Sequence, residues 1–136
     1  MTEECELEKP QYFPGGDQPT TKTVLERAKK EGLKVVYPGP HDLQIDIDSS
    51  ANFRTFGDHL SILSKYLDVD KVLITGSLSG EVGHYHVTIT SKSRYFSVSE
   101  RICLQALLGS DLKREVLGFI MTKNGESKPT LFLEKK

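Results

Sequence analysis

No run of apolar residues approaches the roughly 20 needed to cross a bilayer as a helix, so a helical membrane protein is not expected. Charge of one sign is also missing. With 18 basic and 19 acidic residues the net charge is −1. No whole-molecule field therefore draws the chain to nucleic acid or to a membrane surface, and any polyanion site has to be a local patch. Cysteine is scarce. Cys5 sits in a polar stretch and Cys103 in an apolar run that reads as a buried helix, a separation that makes neither a disulfide framework nor a metal motif. The opening MTEECELEKP is acidic where a secretory signal is basic and then apolar, so a reduced, cytoplasmic protein is expected. There is no internal repeat, no P-loop pattern, and no Ser, Cys or Tyr nucleophile with a positioned base.

What is present is enough for one domain. A chain of 136 residues buries a real core without disulfides or a structural metal. Residues 1–19 are charged, then rich in Pro and Gly, and read as an N-terminal tail or arm; residues 20–136 read as a single domain with its core in 42–134. Thr23 and Glu26 have capping-box spacing ahead of a short helix that Gly32 stops. A short strand over 34–37 precedes the turn Pro38-Gly39-Pro40.

From residue 42 the pattern is regular. DLQIDID (42–48) alternates, with Leu43, Ile45 and Ile47 on one face and Asp42, Gln44, Asp46 and Asp48 on the other. Ser49 or Ser50 caps a helix with Phe53, Phe56, Leu60, Leu63 and Leu67 at helical spacing. A strand over 71–75, a small-residue loop over 77–83 (SLSGEVG) and a second alternating strand over 84–90 (HYHVTIT) follow. Ser97 and Glu100 open an apolar helix that Gly109 closes; Ser110 caps another over 111–121, with Leu112, Val116, Phe119 and Ile120 on one side. A last strand is expected over 130–133.

The order strand, helix, strand, strand, broken helix, strand is the split βαβ arrangement of a ferredoxin-like, RNA-recognition-like α+β fold, with an N-terminal helical extension. Right-handed crossovers place the first and third strands side by side. Helices cover the apolar face, and the polar face is left open. On it, strands about 4.8 Å apart and side chains about 6.7 Å apart along a strand bring Asp46, Asp48, His84 and His86 within reach of one ion. Glu134, on the last strand, approaches from the neighbouring position. Carboxylates with imidazole suit Mg, Mn or Zn.

Each of these features has a plainer reading. Exposed sheet faces are polar by default, but two Asp in a central strand repel, and a cation relieves that. Two His on a strand are structural more often than not; opposite an Asp pair they favour function. SLSGEVG is either a hairpin connection or a stretch, around Ser79 and Gly80, where backbone N–H groups approach a phosphate. The basic residues Lys92, Arg94, Arg101, Lys113 and Arg114 are either a solvated helix face or a track for a nucleic-acid backbone.

At these strands the chain resembles the archaeo-eukaryotic primase superfamily, whose primase-polymerases serve viruses and mobile elements. Asp46-Ile47-Asp48 is similar to that family's acidic DhD motif; GHYHV places His84 or His86 at its second motif, and Glu134 or Asp111 at its third carboxylate. The resemblance covers roughly residues 42–134, without the extra nucleotide-contacting elements of larger members. It implies a palm-like domain acting on nucleotides or nucleic acid with Mg2+ or Mn2+ in phage or mobile-element replication. Asp46, Asp48 and Glu134 would hold metal, Asp46, Asp48 and His86 would be catalytic, and His84, His86, Ser79 and Gly80 would contact the nucleotide. A second resemblance is to the HUH single-strand endonucleases, through His84-Tyr85-His86. Those enzymes need a nucleophilic Tyr, and the helices after His86 carry none; Tyr95 lies just before them. The non-enzymatic alternative is a binding module for nucleic acid or protein on the same fold.

Overall fold

The computed structural model describes residues 21–77, 80–123 and 132–135. They form an α+β arrangement in the order α1 (Thr21–Glu31), β1 (Leu33–Val36), β2 (Asp42–Ile47), α2 (Ser50–Leu67), β3 (Val69–Gly76), β4 (Tyr85–Ser91), α3 (Val98–Leu107), α4 (Leu112–Lys123) and β5 (Phe132–Lys135). The tail over 1–19 lies outside the described residues. Among those described, no helix is long and apolar enough to cross a membrane.

The alternating segments are strands of one antiparallel sheet in the order β2-β4-β3, so the first and third strands of the regular region are neighbours, as the crossover rule requires. In register, Leu43 faces Ile89, Ile45 faces Val87 and Asp46 faces His86. Leu43, Ile45, Ile47, Val87 and Ile89 are fully buried and form the core with Phe56 and Leu67 of α2, Leu104 of α3, and Leu108 and Phe96. Each such side chain contributes about 1.5–3 kcal/mol. Ser49 caps α2 by accepting from the Asn52 N–H, and Ser97 with Glu100 completes the capping box of α3.

The last strand departs from expectation. β5 does not join the three-stranded sheet beside β2 but pairs antiparallel with β1, Phe132 facing Val36. The place beside β2 is already filled. The backbone groups of Asp42, Gln44 and Asp46 point to that edge, and every one is bonded. Asp42 N–H donates to Gly39 O (3.1 Å), and Asp42 O accepts from Arg101 Nε (3.1 Å). Gln44 N–H donates to Gln105 Oε1 (2.8 Å), and Gln44 O accepts from Arg114 Nη1 (2.9 Å). Asp46 N–H donates to Ser110 Oγ (3.0 Å), and Asp46 O accepts from the Asp111 N–H (2.8 Å). A strand finds nothing left to pair with there.

The β1–β5 ribbon instead lies against the polar face, which is therefore not open at the His86 end. Gln44 Nε2 donates to Val36 O (3.1 Å), and the Phe132 ring stacks on His86 with centroids 4.1 Å apart and planes 3° from parallel.

Other expectations are corrected by the same packing. Leu112, Val116 and Phe119 of α4 are exposed, whereas Glu115 and Met121 are buried, because α4 turns its charged side to the β2 edge. Arg101 is buried and Arg114 largely so; they belong to that edge and not to a solvated basic face. Ser110 is buried too. It serves Asp46 and Glu115, and Asp111 caps α4 by accepting from the Lys113 N–H. Cys103 is free and exposed. α1 starts at Thr21, ahead of the expected cap.

Candidate functional site

The four residues singled out on the central strands come together as two cross-strand pairs. Asp46 and His86 are direct partners in the ladder, with Asp46 Oδ1 3.9 Å from His86 Nε2. One step beyond the last registered pair, Asp48 Oδ1 is 3.6 Å from His84 Nδ1. The close approach of Gly83 to α2 shapes this corner. Gly83 has φ +88, and a Cβ there would stand 2.8 Å from Ser50 Oγ and 2.9 Å from Ser50 N, so only glycine brings the β4 entry against the end of β2.

Glu134 reaches the site from above. It accepts from Thr75 Oγ1 (3.2 Å), and its Oε2 is 3.5 Å from His86 Nδ1. Asp46 and Glu134 thus address opposite nitrogens of one imidazole. Glu81 Oε2 lies 3.3 Å from His84 Nε2, repeating that arrangement at the second histidine. Ser79 lies outside the described residues. Gly80 has φ +68 and donates its N–H to Ser77 O within the turn, so this amide is already used.

Burial, above all, pushes the Asp46 carboxyl above its ordinary range; Arg114 and His86 oppose this, while Asp48 and Asp111 add to it. The site is therefore a crowded acidic corner, relieved in part by a buried guanidinium. Sequence reasoning did not find that guanidinium. Arg114 donates through Nη1 to Gln44 O, Ser110 Oγ (3.2 Å) and Glu115 Oε2 (2.7 Å), and its guanidinium carbon lies over the Phe132 ring, 5.0 Å from the centroid. Gln105 Nε2 donates to Glu115 Oε1 (2.9 Å), completing a buried network behind the site. Burial pushes Glu115 up and Arg114 down, against their mutual attraction. A signal existed: Arg101 and Gln105 share a helical phase with the apolar Leu104 and Leu108.

Among the described residues, three buried side-chain atoms have no hydrogen-bond partner: His86 Nδ1, Gln44 Oε1 and Arg114 Nη2. Among the described residues, no three His, Cys, Asp or Glu side chains form a group able to hold a metal ion; the donors come in pairs. An oxygen and a nitrogen 3.6–3.9 Å apart leave room for an ion about 2.1 Å from each. Tyr95, just ahead of α3, packs against His41 (centroids 4.2 Å, planes 40° apart), just before the Asp42 end of β2 and four residues of strand away from Asp46. Phe132 is buried under the ribbon and offers no open stacking surface. No protein-family model, no curated protein and no solved structure matches the chain.

Proposed function

We propose that the Asp46–His86 and Asp48–His84 pairs hold a divalent cation, Mg2+ or Mn2+, that engages the phosphates of a nucleotide or nucleic acid. The finer fold reading is a ferredoxin-like palm of the primase-polymerase type, acting in phage or mobile-element replication in the cytoplasm. The observation that carries the proposal is the register of β2 on β4. It sets two carboxylates opposite two imidazoles on one face, at separations an ion can bridge.

Mg2+ and Mn2+ sites of this kind need only one or two carboxylates, the remaining positions going to water and substrate phosphate. Pairs of donors therefore suit them better than a closed cage would. The ion, when bound, supplies positive charge against phosphate oxygens. Asp46 and Asp48 supply its carboxylate oxygens. His86 and His84 complete the shell or contact a phosphate oxygen. Glu134 and Glu81 orient the imidazoles from their far nitrogens, the role outer carboxylates take at metal-bound histidines.

Thermal unfolding with Mn2+ tests the reading. Wild type gains stability by mass action, about 2.7 kcal/mol at a hundredfold excess over Kd, and Asp46→Asn with Asp48→Asn removes the gain. An equal gain in the double variant places the ion elsewhere and ends the proposal. The nucleotide claim needs its own arm: nucleoside triphosphate binding in Mn2+ that disappears in the same variant. A covalent adduct with single-stranded DNA, lost on Tyr95→Phe, would instead establish the endonuclease chemistry.

A further inference from the structure

The outer edge of β3 is built to be paired. Since the backbone of Asp42, Gln44 and Asp46 faces away from β4, the hydrogen-bonded partners across β2 and β4 are Leu43 with Ile89 and Ile45 with Val87. His86, Thr88 and Thr90 of β4 then turn their backbone groups to Thr75, Leu73 and Lys71 of β3. Val72 and Ile74 are left pointing outward, and among the described residues no side chain bonds to their backbone as those of Gln105 and Ser110 bond to β2. Their side chains are apolar and exposed, Val72 at 38% and Ile74 at 44%, and Leu73 between them, on the opposite face, is 59% exposed. The devices that ordinarily blunt a free strand sit only at its start, where Asp70 and Lys71 carry charge and the register shifts between Val69 and Lys71; no proline or charge interrupts 72–74.

We propose that the occupant is a second copy of this chain, pairing antiparallel about Leu73 to join two three-stranded sheets into one of six strands. A two-fold axis requires outward-pointing residues to face one another. Centring on Leu73 sets Val72 against the partner's Ile74 and Ile74 against its Val72. It also sets Leu73 against Leu73, Lys71 against Thr75 and Asp70 against Gly76. Nearly the whole strand is used, with no like charges opposed. Sliding toward the start of the strand until Asp70 meets Val72 brings Lys71 against Lys71.

Charge complementarity singles out this chain as its own partner. Lys71 and Thr75 share the polar face, so the partner's Lys71 stands about 4.8 Å along the sheet from Thr75, whose hydroxyl already holds Glu134. Each copy thus brings an ammonium to the carboxylate beside the other's His86. Lys71 makes no ion pair among the described residues. The pairing does not depend on the metal reading.

A strand pair buries little area, so the dimer forms at micromolar to submillimolar concentration. Sedimentation equilibrium of the full chain over that range tests it. Wild type associates to a dimer, and Leu73→Lys, an exposed position, leaves a monomer with an unchanged circular dichroism spectrum. Lys71→Glu weakens association about tenfold, since both symmetric contacts turn repulsive. With Cys5→Ser and Cys103→Ser, Leu73→Cys gives a disulfide dimer on mild oxidation. A wild type that stays monomeric throughout overturns the proposal. So does a dimer that survives Leu73→Lys and is lost on Val116→Glu in the exposed α4 stripe, and a dimer that does not cross-link through Leu73→Cys overturns the register.

Discussion

The two edges of the central sheet have the same need and meet it in opposite ways. At β2 the outward backbone groups are all bonded, by Gly39, Asp111 and the side chains of Arg101, Gln105, Ser110 and Arg114. At β3 the corresponding groups of Val72 and Ile74 meet no partner among the described residues. The β2 edge carries the acidic residues of the candidate site, and sealing it fixes Asp46 from both its N–H and its carbonyl. A carboxylate destined for a ligand gains from a backbone that cannot shift. The β3 edge carries no such residue and is left to another chain.

Breaking the sealed edge has the largest consequence. Arg114→Ala removes the donor to Gln44 O and Ser110 Oγ and leaves the Glu115 carboxylate, whose side chain is 3% exposed, without its charge partner, still held by Gln105 and Ser110. Losing one partner of a buried pair costs about 3–5 kcal/mol, readable by urea unfolding. Burial already pushes the Glu115 carboxyl up, so protonation neutralises it more readily than a free glutamate. The loss is therefore greatest at neutral pH and shrinks as the solution is acidified. Next comes Ser110→Ala, which leaves Asp46 N–H without a partner and costs about 1–3 kcal/mol. Hydrogen exchange at the Asp46 amide rises with it; an unchanged amide would mean another group takes over the bond.

The contrast also explains what the sequence tells and what it conceals. DLQIDID and HYHVTIT announce strands, faces and partners because a period of two is local and strong, and the four site residues follow from it. Of the network behind the site, only the phase of Arg101 and Gln105 with Leu104 and Leu108 shows in the sequence; Arg114 and Glu115 are concealed because polar side chains on a helix ordinarily face water. Here tertiary packing turned α4 around, exposing Leu112, Val116 and Phe119. The position of β5 depends on whether β2 has an edge to offer, and that is settled by α3 and α4, far away in sequence.

At the site itself the expected change is smaller and of opposite sign. Because burial raises the Asp46 carboxyl in the folded protein, the native state holds its proton more tightly than the unfolded chain. Its contribution to stability falls as pH rises from the ordinary value of 3.8 through the folded value. Metal-free Asp46→Asn is thus more stable than wild type at neutral pH, by less than either loss above, and the two converge in acid. Glu115 titrates in the same direction, so the variant's pH profile is shallower, not flat. A wild type more stable than the variant at pH 7 without metal would show that Asp46 is held as an anion by its neighbours.

The smallest effect belongs to the open edge. Leu73→Thr, measured at concentrations too low for self-pairing, changes stability by no more than about 0.5 kcal/mol. The side chain removed is 59% exposed, the backbone bonds to Thr88 remain, and threonine is a good strand residue. Deleting a single buried hydroxyl at Ser110 therefore costs more than replacing a leucine here, because the first orphans a backbone group and the second orphans none. A loss at Leu73 as large as that at Ser110 would mean that the β3 edge is already covered within one chain, and the difference between the two edges would disappear.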